Sequence, residues 1–166
     1  TLRNSSAASD VYKRQAFGHP VLKKMCKNIT SDYENLDSLI DNMWETMYAA
    51  SGVGLAAPQI GLSIRLFIVD ASPFSEDKNL SLEEREKLSK FKMVFINPEL
   101  KATSDDLNTF NEGCLSIPEI REDVDRENEI IVDYYDQDFN KQSLKLDGLR
   151  ARVVQHEYDH IQGILF

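Results

Sequence analysis

Residues 156–160 of the chain read HEYDH, and this pentapeptide restricts the possible folds more than any other stretch. Histidines four apart on a helix project from one face, near enough for both rings to grip one ion, with Glu157 beside them. The surrounding residues support a helix. Leu149, Val153, His156 and His160 recur along one face, and Val154, Tyr158, Ile161 and Leu165 along an adjacent one. The HExxH string therefore sits on an apolar helix. The chain holds three histidines, and two of them fall at ligand spacing around a glutamate, which points to a metal centre rather than to isolated core histidines.

A catalytic zinc-type ion takes three protein ligands and a water, so HEYDH leaves one ligand to be found. In the extended pattern HExxHxxGxxH the third histidine falls at 166; this chain matches through Gly163 and then has Phe166, which cannot ligate. No glutamate follows on a later helix within the sequence, so the missing ligand is expected upstream. The strongest candidate is Cys114 in NEGCLSIPEIRED, where Gly113 lets the backbone come close to something. The same thiol also reads as a small buried apolar residue. Cys26, flanked by lysines in KKMCKNIT, reads as a partly buried thiol. Two cysteines this far apart make a poor disulfide framework, and free thiols fit better.

Along the chain, residues 1–15 carry small and polar residues without apolar periodicity and read as a disordered or non-native tail. Ser31 and Glu34 have capping-box spacing, and Leu36, Leu39, Ile40, Met43, Trp44 and Met47 follow at helical intervals, predicting a helix near residues 32–50. GVGLAAPQIG, residues 52–61, reads as a loop leading into a buried strand at IRLFIVD, 64–70. Residues 75–90 are polar and read as a surface excursion containing a short helix, with Ser81 and Glu84 as a second capping box. KMVFINPEL from Lys92, EIIVDYYD from Glu129 and QSLKLDG from Gln142 read as strands. The chain stops at Phe166 straight after an apolar run, which reads as a truncated C-terminus.

With 19 Lys and Arg against 28 Asp and Glu, the net charge of −9 disfavours direct binding to nucleic acid or to an anionic membrane. No apolar run approaches the roughly 18 residues needed to cross a bilayer, and the default compartment is the cytoplasm.

GVGLAAPQIG, EGCLSIP and QHEYDH, in this order and at these separations, resemble the three motifs of peptide deformylases, and GHPVLKK near the start and GILF at the end are similar too. The resemblance covers roughly residues 16–166, read as one catalytic domain. It implies an α+β fold in which antiparallel and mixed strands wrap the HExxH helix, with the helix near 32–50 packed outside. It implies a metallohydrolase that removes the N-formyl group from nascent formyl-methionyl polypeptides and releases formate. Carried over residue by residue, it makes Cys114, His156 and His160 the metal ligands and Glu157 the acid/base. The Gln59 amide and the Leu115 N–H become the oxyanion donors. Val53 and Gly54 line the methionine-side pocket, Glu112 and Gly113 flank the same groove, and Arg121 braces the site. The family uses Fe²⁺ and often retains activity with Ni²⁺, Co²⁺ or Zn²⁺; a Cys/His₂ set does not choose among them. Formyl-methionine initiation and the lack of a transit-like N-terminus imply a bacterial cytoplasm, with transient ribosome contact in doubt because no C-terminal helix follows GILF.

Two other readings compete. An HExxH zinc metallopeptidase shares the chemistry but is weakened by Phe166 and by a thiolate ligand. A catalytically inactive metal-binding homologue would tolerate loss of Glu157.

Overall fold

The structure is a computed structural model that describes residues 20–102, 106–114 and 117–164. The tail at 1–15, His19, Leu115, Leu165 and Phe166 lie outside the described residues. In chain order the elements are α1 (Leu36–Ala49), β1 (Gly54–Ala56), β2 (Leu66–Asp70), α2 (Leu82–Ser89), β3 (Lys92–Ala102), β4 (Leu107–Cys114), β5 (Ile117–Glu127), β6 (Glu129–Tyr135), β7 (Lys141–Asp147) and α3 (Gly148–Ile161). The class is α+β, as the resemblance implied.

Five strands form one sheet in the order β1-β2-β3-β6-β7, and β4 and β5 pair separately as a hairpin. The expected mixed pairing is not seen: every strand pair among the described residues is antiparallel, and the one parallel contact is an isolated bridge between Lys27 and Ile64.

β2 explains the layering. Its five residues, LFIVD, are all buried, because the strand is covered on both faces. Leu66 and Ile68 pack with Leu39, Ile40, Met43 and Met47 of α1, whereas Phe67 and Val69 pack with Ala151, Val154 and Ile161 of α3. The sheet therefore separates the two long helices and places α3 in its own core, as two apolar helix faces demand. Each such side chain is worth about 1.5–3 kcal/mol when fully buried. β6 shows the one-sided case: Ile130, Val132 and Tyr134 point into the α3 core and the residues between them are half-exposed.

Three local expectations are corrected. α1 begins at Leu36 rather than near 32, because Asn35 adopts left-handed backbone (φ 57°) as its cap and residues 31–34 turn instead of winding. The Ser31/Glu34 capping box does not start this helix. GVGLAAPQIG is not all loop: Gly54–Ala56 pairs with β2, and Ala57–Ile60 forms a 3₁₀ turn. A three-residue strand is too short to show alternation. The short helix in the excursion does form, with the Ser81 hydroxyl accepting from the Glu84 N–H at 3.1 Å.

Gly163 closes α3. Its N–H donates to His160 O (3.1 Å) and the Ile164 N–H donates to Asp159 O (2.8 Å), the paired bonds of a Schellman cap with glycine at φ 81°. A Cβ here would lie 2.7 Å from Lys23 O, a backbone atom that cannot swing away. Gly163→Ala is expected to destabilise the chain by about 1–3 kcal/mol, seen as a lower urea midpoint with unchanged slope. An unaltered midpoint would remove the cap from the account of α3.

Candidate metal centre

α3 delivers its two histidines as the spacing predicts. His156 and His160 are both buried, their rings perpendicular with centroids 4.7 Å apart, and their Nε2 atoms face each other at 3.1 Å. An oxygen of Glu157 lies in the same group, with one donor atom from each of the three residues within 4.8 Å of the others. Burial holds His160 well below the ordinary histidine range, so its ring is the neutral form that a metal needs.

The second ring nitrogen of His156 is fixed by Glu112. His156 Nδ1 lies 2.9 Å from Glu112 Oε2. Burial alone would raise the Glu112 carboxyl, but hydrogen bonds from His156 and Arg126, together with the Arg126 charge, outweigh it and bring it down to about 2. An ionised carboxylate only accepts, so Nδ1 carries the proton and donates, which leaves the Nε2 lone pair facing His160. Arg126 grips the same carboxylate with two donors, Nε to Oε1 at 2.8 Å and Nη2 to Oε2 at 2.9 Å, and its Nη1 donates to Asp159 Oδ2 at 2.7 Å. Arg152 Nη1 adds a fourth donor to Glu112, at Oε1, 2.8 Å. The hairpin is thereby tied to α3, helped by Gln155 Nε2 donating to Glu127 O at 2.7 Å.

Glu157 is held differently. It is 4% exposed, and its Oε2 is buried with no hydrogen-bond partner among the described residues. Desolvation is the main cause that lifts its carboxyl from an ordinary 4.5 to about 7, against the lowering effect of His156 and Arg126. A carboxyl near neutral pH can take up a proton and give it back. The room for it is made by Gly54: a Cβ there would sit 2.5 Å from Glu157 Oε1 and 2.8 Å from Cγ and Cδ. β1 thus runs against the carboxylate because its first residue is glycine. Three residues past that strand, Gln59 is buried, and its Oε1 accepts from the Ala56 N–H at 2.9 Å.

The remaining residues named from sequence are placed as follows. Val53 is half-buried beside the α3 core, and its carbonyl accepts from the Asp70 N–H at 2.8 Å. Gly113 is exposed and is the register partner of Arg121 across the hairpin. Cys114 ends β4, after a register shift, two residues beyond Glu112. The Glu112 carboxylate is buried and engaged by Arg126, Arg152 and His156. Arg126, Arg152 and Asp159 escaped the sequence reading. Arg152 had a signal, since it precedes His156 by one helical turn and shares its face; Arg126 had none, being brought in by the hairpin.

The residues fit a divalent cation. Two imidazoles on one tetrahedral ion, each about 2.0–2.1 Å away, place their nitrogens about 3.3 Å apart. The 3.1 Å separation is close to that. A buried carboxylate oxygen without a partner among the described residues, beside the neutral His160 ring, is what such an ion would compensate.

An HExxH helix buried against an antiparallel sheet, with its ring nitrogens converging beside a proton-carrying glutamate, defines a metal-dependent hydrolase. A sequence model described as Polypeptide deformylase matches residues 12–166. A peptide deformylase of Flavobacterium psychrophilum is 57% identical over 150 residues, covering 90% of this chain and 77% of that one. A peptide deformylase of Christiangramia forsetii is 52% identical over 151 residues, 91% of this chain and 77% of the relative. The crystal structure of peptide deformylase from Thermotoga maritima superposes with a TM-score of 0.80 at 38% identity, over 93% of this chain and 94% of that one. The chain belongs to the peptide deformylase family, the hydrolases that remove the formyl group from nascent peptides. Among the described residues no helix is long and apolar enough to cross a membrane.

Proposed function

We propose that this chain, through a catalytic domain spanning residues 16–166, hydrolyses the formyl amide of nascent formyl-methionyl polypeptides with Cys114, His156 and His160 as the metal ligands and Glu157 as acid and base. The observation that carries the reading is the pair of Nε2 atoms 3.1 Å apart beside the unpartnered Glu157 oxygen. Cys114 is supported as third ligand by its place on β4: two residues span at most about 7 Å, and Glu112, two residues earlier, is bonded to His156.

A divalent ion held there supplies Lewis-acid polarisation and makes a water acidic enough to attack near neutral pH. Glu157 takes the proton from the attacking water. As the water oxygen bonds to the formyl carbon, negative charge gathers on the carbonyl oxygen, and the Gln59 NH₂ and the Leu115 N–H are the donors for it. The C–N bond then breaks, Glu157 returns the proton to the amine, and formate leaves. Val53 and Gly54 line the methionine side with Gly113, and Arg121 braces the site. Glu112 acts behind His156, through Nδ1, rather than on the substrate.

Iron(II) is the native ion in this reading, the bacterial cytoplasm the setting, and the ribosome a transient partner. Relatives from bacteria such as Flavobacterium psychrophilum support the setting. The test is anaerobic purification, elemental analysis and assay on formyl-Met-Ala. Formate release is expected, lost on chelation and restored by Fe²⁺, Ni²⁺ or Co²⁺. Cleavage of internal peptide bonds without action on formyl-Met-Ala would overturn the reading in favour of a metallopeptidase. A zinc-only protein indifferent to oxygen would remove iron from it.

A further inference from the structure

Glu112 is a saturated acceptor. Its Oε1 takes Arg126 Nε and Arg152 Nη1, both at 2.8 Å, and its Oε2 takes Arg126 Nη2 and His156 Nδ1, both at 2.9 Å. A carboxylate has about four lone-pair sites, and all are used. Two of these donors come from β5 and two from α3. The two on α3, Arg152 and His156, are one helical turn apart and each holds a different oxygen of the same carboxylate.

That geometry distinguishes the two arginines. Arg126 belongs to the hairpin and also binds Asp159 at 2.7 Å, so it docks β5 on the helix. Arg152 is on the helix itself, 7% exposed, with its Nη1 also donating to Val124 O at 3.1 Å. Besides His156 itself, it is the described side chain that bonds the Glu112 carboxylate directly from the helix that carries the histidines. If Arg152 is lost, Arg126 still holds the carboxylate to the hairpin and, through Asp159, indirectly to α3, but among the described residues the only direct bond from α3 to the carboxylate is then that of His156 itself.

From this we infer that Arg152 is a positioning residue for the metal centre: it orients His156 through Glu112 and tunes the affinity of the histidine pair for a divalent ion. The inference rests on the reading of His156 as a ligand. Substitutions around a metal-bound histidine that act through its hydrogen-bond partner typically cost about 10–100-fold in metal affinity or activity.

The experiment measures Co²⁺ binding to the metal-depleted full chain, by visible absorption in competition with a chelator, for the parent, Arg152→Met, Arg152→Gln, Arg152→Lys and His156→Ala. Temperatures are kept well below each melting transition. The expected result is about tenfold weaker binding and an altered absorption band for the Met and Gln variants. Lys, which keeps the charge and one donor, is expected to restore binding to within about threefold. On formyl-Met-Ala the losses are expected in kcat, with KM nearly unchanged. Parent-like Co²⁺ affinity and spectrum in the Met and Gln variants, with only a lower melting temperature, would reduce Arg152 to a packing role and overturn the inference. If Arg152→Met does not fold, the contrast between Gln and Lys decides in the same terms. The His156→Ala control separates the two claims: undiminished Co²⁺ binding there refutes His156 as a ligand and takes this inference with it, whereas lost binding there with parent-like Arg152 variants refutes this inference alone.

Discussion

Replacing Glu157 with glutamine is expected to lower kcat for deformylation by about 10²–10⁴-fold while the metal stays bound. Glutamine keeps the size of the side chain, so Gly54 still accommodates it, but it cannot take a proton from water or return one to the amine. Steady-state kinetics on formyl-Met-Ala with metal analysis of the same sample check this. Near-parental activity would favour an inactive-homologue type of role for the glutamate and remove it from the chemistry. Stability carries a second signature. Burial lifts the Glu157 carboxyl from 4.5 to about 7 in the folded chain, so as the pH rises through that window the unfolded chain ionises first and is favoured. In the metal-free state the parent should lose stability relative to Glu157→Gln between about pH 4.5 and 7 and keep that deficit above it. Equal pH profiles for the two would contradict a desolvated carboxyl.

Why Glu157 was legible and its surroundings were not is a matter of sequence separation. HEYDH carries its meaning in five consecutive residues, and helical geometry turns that spacing into a converging pair without help from the rest of the chain. The periodicity of Leu36, Leu39, Ile40, Met43 and Met47 likewise shows a buried helix face directly, although its start was misread because Asn35, not Ser31, takes the cap position. LFIVD shows as a strand because both its faces are covered, and EIIVDYY because one is. β4 and β5 left no such trace. LNTFNEGC and IPEIREDVDRE are largely polar and charged, and among the described residues side-chain bonds made by Arg126, Arg152 and Gln155 tie them to α3. Glu112, Arg126 and Asp159 lie 14 and 33 residues apart along the chain, and only the paired hairpin brings them together. A glutamate two residues before a motif cysteine invites a substrate role from sequence; the structure sets its carboxylate among Arg126, Arg152 and His156.

Those contacts make Glu112 the most consequential position behind the histidines. Glu112→Ala is expected to cost about 3–5 kcal/mol of stability. Its partners Arg126 and Arg152 are at least as buried as it is, and with the carboxylate gone Arg126 loses two bonds while keeping Asp159, and Arg152 loses its bond to Oε1. The loss comes less from the bonds themselves than from two guanidinium groups left in a dry site without enough counter-charge. Glu112→Gln, which retains shape, should recover part of it but not the acid signature. The Glu112 carboxyl is held at about 2 in the folded chain, below its ordinary 4.5 when unfolded, so its contribution is fully present above pH 4.5 and fades as the pH falls toward 2. Urea titrations at several pH values should therefore show the parent converging on the Gln variant in acid and separating from it near neutrality. The same two variants should bind Co²⁺ about 10–100-fold more weakly, because Ala removes the acceptor that fixes the His156 tautomer and ring plane and Gln replaces a charged acceptor with a weaker neutral one. A Gln variant as stable as the parent at pH 7, with parental Co²⁺ affinity, would mean that four short bonds to one carboxylate decorate the site without holding it.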